Sequence, residues 1–171
     1  SMARRSPAQQ AAQWYGASLA ASKARDGTQA QSALAQLRKL VRGVPEAERQ
    51  ARLLAAELAL SIPGGTPAAA LEQLGPQKGA GSRPEMLLTV RAQIAVGQAA
   101  QAAQSLQLWL ADHPQDATAW QQLAAANVAQ QRVIAAVRAE AEANVAQLDY
   151  ASAVQRLKAA QELARQRRLP E

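Results

Sequence analysis

Glycine and proline fall in clusters along this chain, and the distances between those clusters decide what it can build. They stand at Arg42-Gly43-Val44-Pro45, Ile62-Pro63-Gly64-Gly65-Thr66-Pro67, Gly75-Pro76 through Arg83-Pro84, and His113-Pro114. Proline lacks the backbone N–H and glycine carries no conformational restraint, so both punctuate regular structure and the clusters read as turns. Between them nothing alternates as a strand would, whereas Val90 and Ile94, or Leu53, Leu54 and Leu58, recur at helical spacing. The punctuation predicts about nine helices. They run from Gln9 to Arg25, Gln29 to Val41, Glu46 to Ser61, Pro67 to Leu74, Pro84 to Val96, Ala99 to Ala111, Ala117 to Gln130, Val133 to Gln147, and Tyr150 to Arg168. Thr66 before Pro67 has the form of an N-cap with proline in the first turn, and Ser82-Arg83-Pro84-Glu85 has the same form one helix later.

The side chains agree with an all-α fold. Hydrophobic residues make up 49% of the 171 positions, yet aromatics reach only 3% and phenylalanine is absent. Alanine, the strongest helix former, supplies roughly a quarter of the chain. That apolar content suffices for one domain, expected over residues 9–168. Residues 1–8 read as an expression scar, with Ser1 before Met2, and a disordered lead-in; 169–171 read as a truncated end.

Composition also removes whole classes of chemistry. Without cysteine there is no disulfide, thiolate metal site or cysteine nucleophile, and one histidine, His113, does not supply a histidine zinc site or a triad. No catalytic residue, metal ligand or cofactor is expected. Its place before Pro114 makes His113 a turn residue. The net charge of +6 keeps a basic helical nucleic-acid binder as a remote alternative, although no aromatic residues interleave the basic ones to stack bases. Arg165, Arg167 and Arg168 suit the C-terminal end of a helix dipole. No apolar run approaches the roughly 20 residues that span a bilayer, and the start lacks a hydrophobic signal region.

Helical hairpins joined by short turns invite a search for a fixed period, and one of about 34 residues exists. Gly97 takes the turn within a hairpin, Ala102 the small crossing position, Leu106 the large apolar position after it, and Pro114 the turn into the next unit. Trp120, Leu123 and Ala124 then fill the aromatic, leucine and small places of the following helix. This stretch resembles the tetratricopeptide repeat, whose small residues let antiparallel helices approach while large ones fill the space beside them. Ala33, Leu37, Leu40 and Pro45 fit the same pattern if the turn at Asp26-Gly27-Thr28 is one residue longer. Near the end, Asp149-Tyr150 with Ala153, Leu157 and Ala160 restores it half a period out of phase. The helix from Val133 to Gln147 is therefore expected to close one hairpin and open the next. The expected architecture is a right-handed α-hairpin solenoid; an alanine-rich bundle also satisfies small-xxx-large spacing.

Three stretches carry a narrower resemblance: Gln13-Trp14-Tyr15-Gly16-Ala17-Ser18-Leu19-Ala20, Trp109-Leu110-Ala111-Asp112-His113-Pro114-Gln115-Asp116, and Leu148-Asp149-Tyr150 through Leu157. Together they resemble the C-terminal repeat domain of BepA-like (YfgC-like) bacterial periplasmic zinc metallopeptidases. The resemblance implies a periplasmic location, an attached N-terminal peptidase domain whose zinc-binding residues lie outside this sequence, and a non-catalytic role in engaging outer-membrane proteins and their assembly machinery. Leu148 departs from the pattern by replacing the turn glycine, and the connection from Gly75 to Arg83 is long. A tetratricopeptide adaptor or chaperone of another envelope or secretion system is the alternative.

In such an array the first helix of each hairpin lines the concave side. That numbering places Tyr15, Ser18 and Ser22, Arg49 and Arg52, Arg91 and Ile94, Gln121 and Ala125, and Arg138 and Glu142 toward a protein or peptide partner. Arginines at Arg52, Arg91 and Arg138 suit carbonyls and carboxylates, because guanidinium forks onto both; as solvated face residues they would instead keep alanine-rich helices soluble. Burial at the best-defined repeat position is directly measurable. Leu106→Ala is expected to cost about 2–5 kcal/mol, read as a lower urea midpoint at unchanged slope.

Overall fold

The computed structural model describes residues 6–76 and 81–168. Among these residues it contains helices and no strand: α1 (Pro7–Lys23), α2 (Gly27–Val41), α3 (Pro45–Ser61), α4 (Pro67–Leu74), α5 (Arg83–Ala95), α6 (Ala99–Asp112), α7 (Ala117–Ala129), α8 (Val133–Ala146) and α9 (Tyr150–Arg168). The protein is all-α, with each helix within two residues of the expected bounds. Of the lead-in expected over residues 1–8, residues 1–5 lie outside the described residues, as does the end at 169–171, whereas Ser6 caps α1 and Pro7 and Ala8 stand in its first turn.

Side-chain caps explain where the helices begin. Ser6 and Gln9 form a reciprocal capping box ahead of Pro7, which starts α1 earlier than expected. Asp26, Thr66 and Asp116 each accept the N–H three residues on, at 2.9, 3.2 and 3.1 Å, and so fix the starts of α2, α4 and α7. Asp149 does the same for α9 by accepting the Ser152 N–H at 3.1 Å. At α5 the N3 carboxylate of Glu85 reaches back to the Ser82 N–H at 3.0 Å.

Four hairpin turns share one hydrogen-bond pattern. Asp26 donates its N–H to the Ala21 carbonyl, Gln98 to Gln93, Arg132 to Asn127, and Asp149 to Asn144, at 2.8–2.9 Å. In each turn the residue before the donor is left-handed: Arg25 at φ 59°, Gly97 at 85°, Gln131 at 59° and Leu148 at 63°. This closure satisfies carbonyls that the helix end leaves without partners. Gly97 and Gln131 stand one period of about 34 residues apart, and Leu148 follows half a period later.

The chain divides into two compact units, residues 1–88 and 89–171. In the first, α1 packs on α2, α2 on α3 and α3 on α4, with α1 also touching α3. Its core holds Leu34, Leu37, Leu54, Leu58 and Ile62 among buried alanines, flanked by Trp14 and Leu19. Gly65 is required in the α3–α4 turn, since a Cβ there would lie 2.4 Å from the Ala59 carbonyl oxygen. In the second unit α6 packs on α7, α7 on α8, and α8 on both α7 and α9, the double role its half-period position predicts. Leu106 and Val90 are wholly buried there.

Leu148 occupies a glycine conformation with a side chain 73% exposed, so it carries backbone strain and little packing. Leu148→Gly is expected to stabilise the protein by about 0.5–1 kcal/mol, raising the urea midpoint; an unchanged or lower midpoint would mean that the leucine packs usefully in solution.

Candidate partner-binding surfaces

The second unit holds a trough between α6 and α8. Both helices pack on α7, which forms its floor. Gln107, Leu110 and Ala111 make one wall, Ala135, Arg138 and Ala139 the other, and Trp120, Leu123 and Asn127 line the floor, with Arg132 at one end. Each set recurs at three- and four-residue intervals, so it occupies one helix face. The enclosed volume is about 440 Å³.

The connection leading into α7 is braced by its own motif. The Trp109 ring stacks on His113, centroids 3.8 Å apart, and its Nε1–H donates to Asp116 Oδ2 at 3.0 Å. Asp116 simultaneously caps α7 through the Ala119 N–H. Trp120 Nε1–H donates to the Pro114 carbonyl at 2.8 Å, which fixes the indole against the turn. The Trp109-to-Asp116 segment thus sets the angle at which α7 follows α6, and His113 belongs to that brace.

The first unit has a smaller hollow of about 300 Å³ lined by Arg38, Val41, Arg42, Glu48, Ala51, Arg52 and Gln73. Arg38 donates to Gln73 Oε1. Glu48 accepts the Gly43 N–H at 2.8 Å, so its carboxylate is shared with the α2–α3 turn.

The residues expected to face a partner distribute unevenly. Arg138 lines the trough of the second unit and Arg52 the hollow of the first. Tyr15 and Gln121 are exposed, Arg91 is half-buried, and Arg91 and Gln121 lie outside the trough lining. Ser18 is fully buried, with its hydroxyl donating to the Ala30 carbonyl at 2.9 Å, so it joins α1 to α2 and faces no partner. Arg49 is committed inside the first unit: Nε and one terminal nitrogen fork onto Glu85 at 2.8 and 2.7 Å, tying α3 to α5. Sequence reasoning missed Arg38, Arg42, Asn127 and Arg132. Neither of the last two carried a clear signal: Arg132 precedes α8 at a spacing from Arg138 that is not a same-face one, and Asn127 sits in a face that reads as core.

Glu85 is the most strongly perturbed acid in this set. The Arg49 guanidinium, then the Ser82 backbone N–H, pull its carboxyl down to about 2. Hydrogen bonds from Ser152 lower Asp149 as well. Among the described residues no helix is long and apolar enough to cross a membrane. The arrangement defines an all-α protein whose helices pack consecutively from α1 to α4 and from α6 to α9, with arginine-lined concavities on each unit. No protein-family model matches the chain, and a search of curated proteins finds no match.

A carboxyl whose pKa falls on folding contributes stability fully above its unfolded value, near 4.5, and loses it as the pH drops toward about 2. Urea midpoints of the native chain are therefore expected to fall across that window. Glu85→Gln should remove this component of the decline and lower stability at neutral pH; an identical pH profile would show the ion pair to be energetically silent.

Proposed function

We infer that this chain is a non-catalytic protein–protein interaction domain, a tetratricopeptide-type scaffold of a periplasmic zinc peptidase. It binds client or assembly-machinery proteins for quality control of outer-membrane proteins. The observation that supports a binding scaffold is the trough on the second unit: an open concavity with an apolar floor and cationic edges, held by helices whose turns fix their positions. Such concavities, apolar with a few placed polar groups, are where partners dock. The tetratricopeptide reading is supported by the matching turns at Gly97 and Gln131 and by the shared contacts of α8. The attachment to a peptidase and the periplasmic setting rest on the motif resemblance at the start, middle and end of the chain.

Cross-linking capture from a bacterial envelope extract tests this, with the chain as bait beside an Arg52→Glu, Arg91→Glu, Arg138→Glu variant. Outer-membrane proteins or their assembly factors are expected on the native bait and depleted on the variant. Capture of cytoplasmic proteins alone would point to an adaptor of another system, and capture of nucleic acid would replace the scaffold reading.

A further inference from the structure

We propose that the α6–α7–α8 trough docks an acidic segment of the partner protein, its carboxylates meeting Arg132 and Arg138 and an apolar side chain entering between them. This deepens, and rests on, the reading of the chain as an interaction scaffold.

Four features of the same surface point to that occupant. Arg132 and Arg138 both line the trough, and among the described residues neither guanidinium has a hydrogen-bond or ion-pair partner. The same two arginines line a second, adjoining hollow of about 390 Å³ with Val133 and Ile134, so concave surface surrounds them on two sides. Arg132 is also the N-cap residue of α8 and its side chain makes no capping bond, which leaves the first-turn N–H groups and the positive end of the helix dipole without a side-chain acceptor. No carboxylate lines either concavity.

Asn127 supplies the fourth feature, independent of charge. It is only 4% exposed and lines the floor, yet among the described residues no group hydrogen-bonds its side-chain amide. The buried polar atoms left without a partner among the described residues are Thr89 Oγ1 and Gln93 Oε1, so the Asn127 amide still meets solvent in the trough, where a donor–acceptor amide matches the N–H and C=O of a peptide backbone. The half-buried Trp120 on the floor offers an apolar surface that the side chain of a peptide can cover and a free anion cannot. Two arginines beside such a floor favour a peptide with carboxylates over a nucleic-acid backbone, whose binding needs many phosphate contacts.

Fluorescence anisotropy on the full chain at low salt tests the proposal with labelled acetyl-Glu-Asp-Leu-Glu-Asp-Leu-amide, its Gln/Asn isostere, and a DNA duplex. The acidic peptide is expected to bind, at least about tenfold more tightly than the isostere. Arg132→Glu with Arg138→Glu should weaken it by a similar factor while helicity and melting stay unchanged. Ala111→Trp, an exposed position on the α6 wall that fills the trough and leaves its charge intact, should also abolish binding, separating the trough from general basicity. Equal binding of the isostere, indifference to the double reversal, or tighter binding of the duplex overturns the proposal. The envelope capture keeps the two readings apart. If the native chain captures envelope proteins and the Arg132→Glu, Arg138→Glu chain captures them equally, this inference fails alone; if the native chain captures none, the scaffold reading fails.

Discussion

Alanine forms the contact faces between consecutive helices. Ala30 and Ala33 on α2, Ala102 and Ala103 on α6, Ala119, Ala124 and Ala126 on α7, and Ala136 and Ala139 on α8 are nearly or wholly buried. Small side chains at such faces are what let neighbouring helices approach closely. Large apolar side chains then fit only where the crossing opens, and Leu54, Leu58, Leu106 and Val90 fill those places completely. The same closeness draws polar neighbours inward, which is how Ser18 and Asn127 come to be buried. The trough lies where α6 and α8 both pack on α7 and the surface between them stays open.

Arginine takes two roles here, separated by whether a carboxylate stands within reach. Arg49 meets Glu85 and becomes a tie between α3 and α5, held further by Ser82 on the same carboxylate. Arg156 meets Glu140 and Asn144 and joins α9 to α8. Arg132 and Arg138, on a stretch of α8 with no facing acid in either concavity, keep their positive charge for something else. The modest net charge therefore understates how concentrated the uncompensated cations are.

Helix positions were legible because they follow from local chemistry: Thr66, Asp116 and Asp149 cap, proline opens first turns, and alanine propagates. The turns were half legible. Gly97 advertises a left-handed residue, whereas Arg25, Gln131 and Leu148 adopt the same conformation without the residue that favours it. The partner-facing residues were the least legible. Numbering from a repeat assigns a face but says nothing of which side chain finds a distant residue of the same chain, so it turns Arg49 toward a partner although Glu85, 36 positions on, binds it. Ser18 escaped because it stands among alanines in a helix with little contrast between its faces. The division into two units near Leu88 has no marker in the sequence, since it falls inside the continuous helix α5. Thr89 Oγ1 and Gln93 Oε1 are buried one turn apart just beyond that point without hydrogen-bond partners.

The recurring turn closure bears on how the chain reaches its native state. Each of the four turns joins a donor to a carbonyl five residues earlier, and in the second unit each helix from α7 onward packs on its predecessor in sequence. Contacts between chain neighbours need little loop closure, and folding rates rise as contacts become more local. A hairpin such as α7–α8 can thus assemble as soon as its two helices exist, without waiting for the rest of the polypeptide. During synthesis, each unit would gain structure from its earlier helices to its later ones.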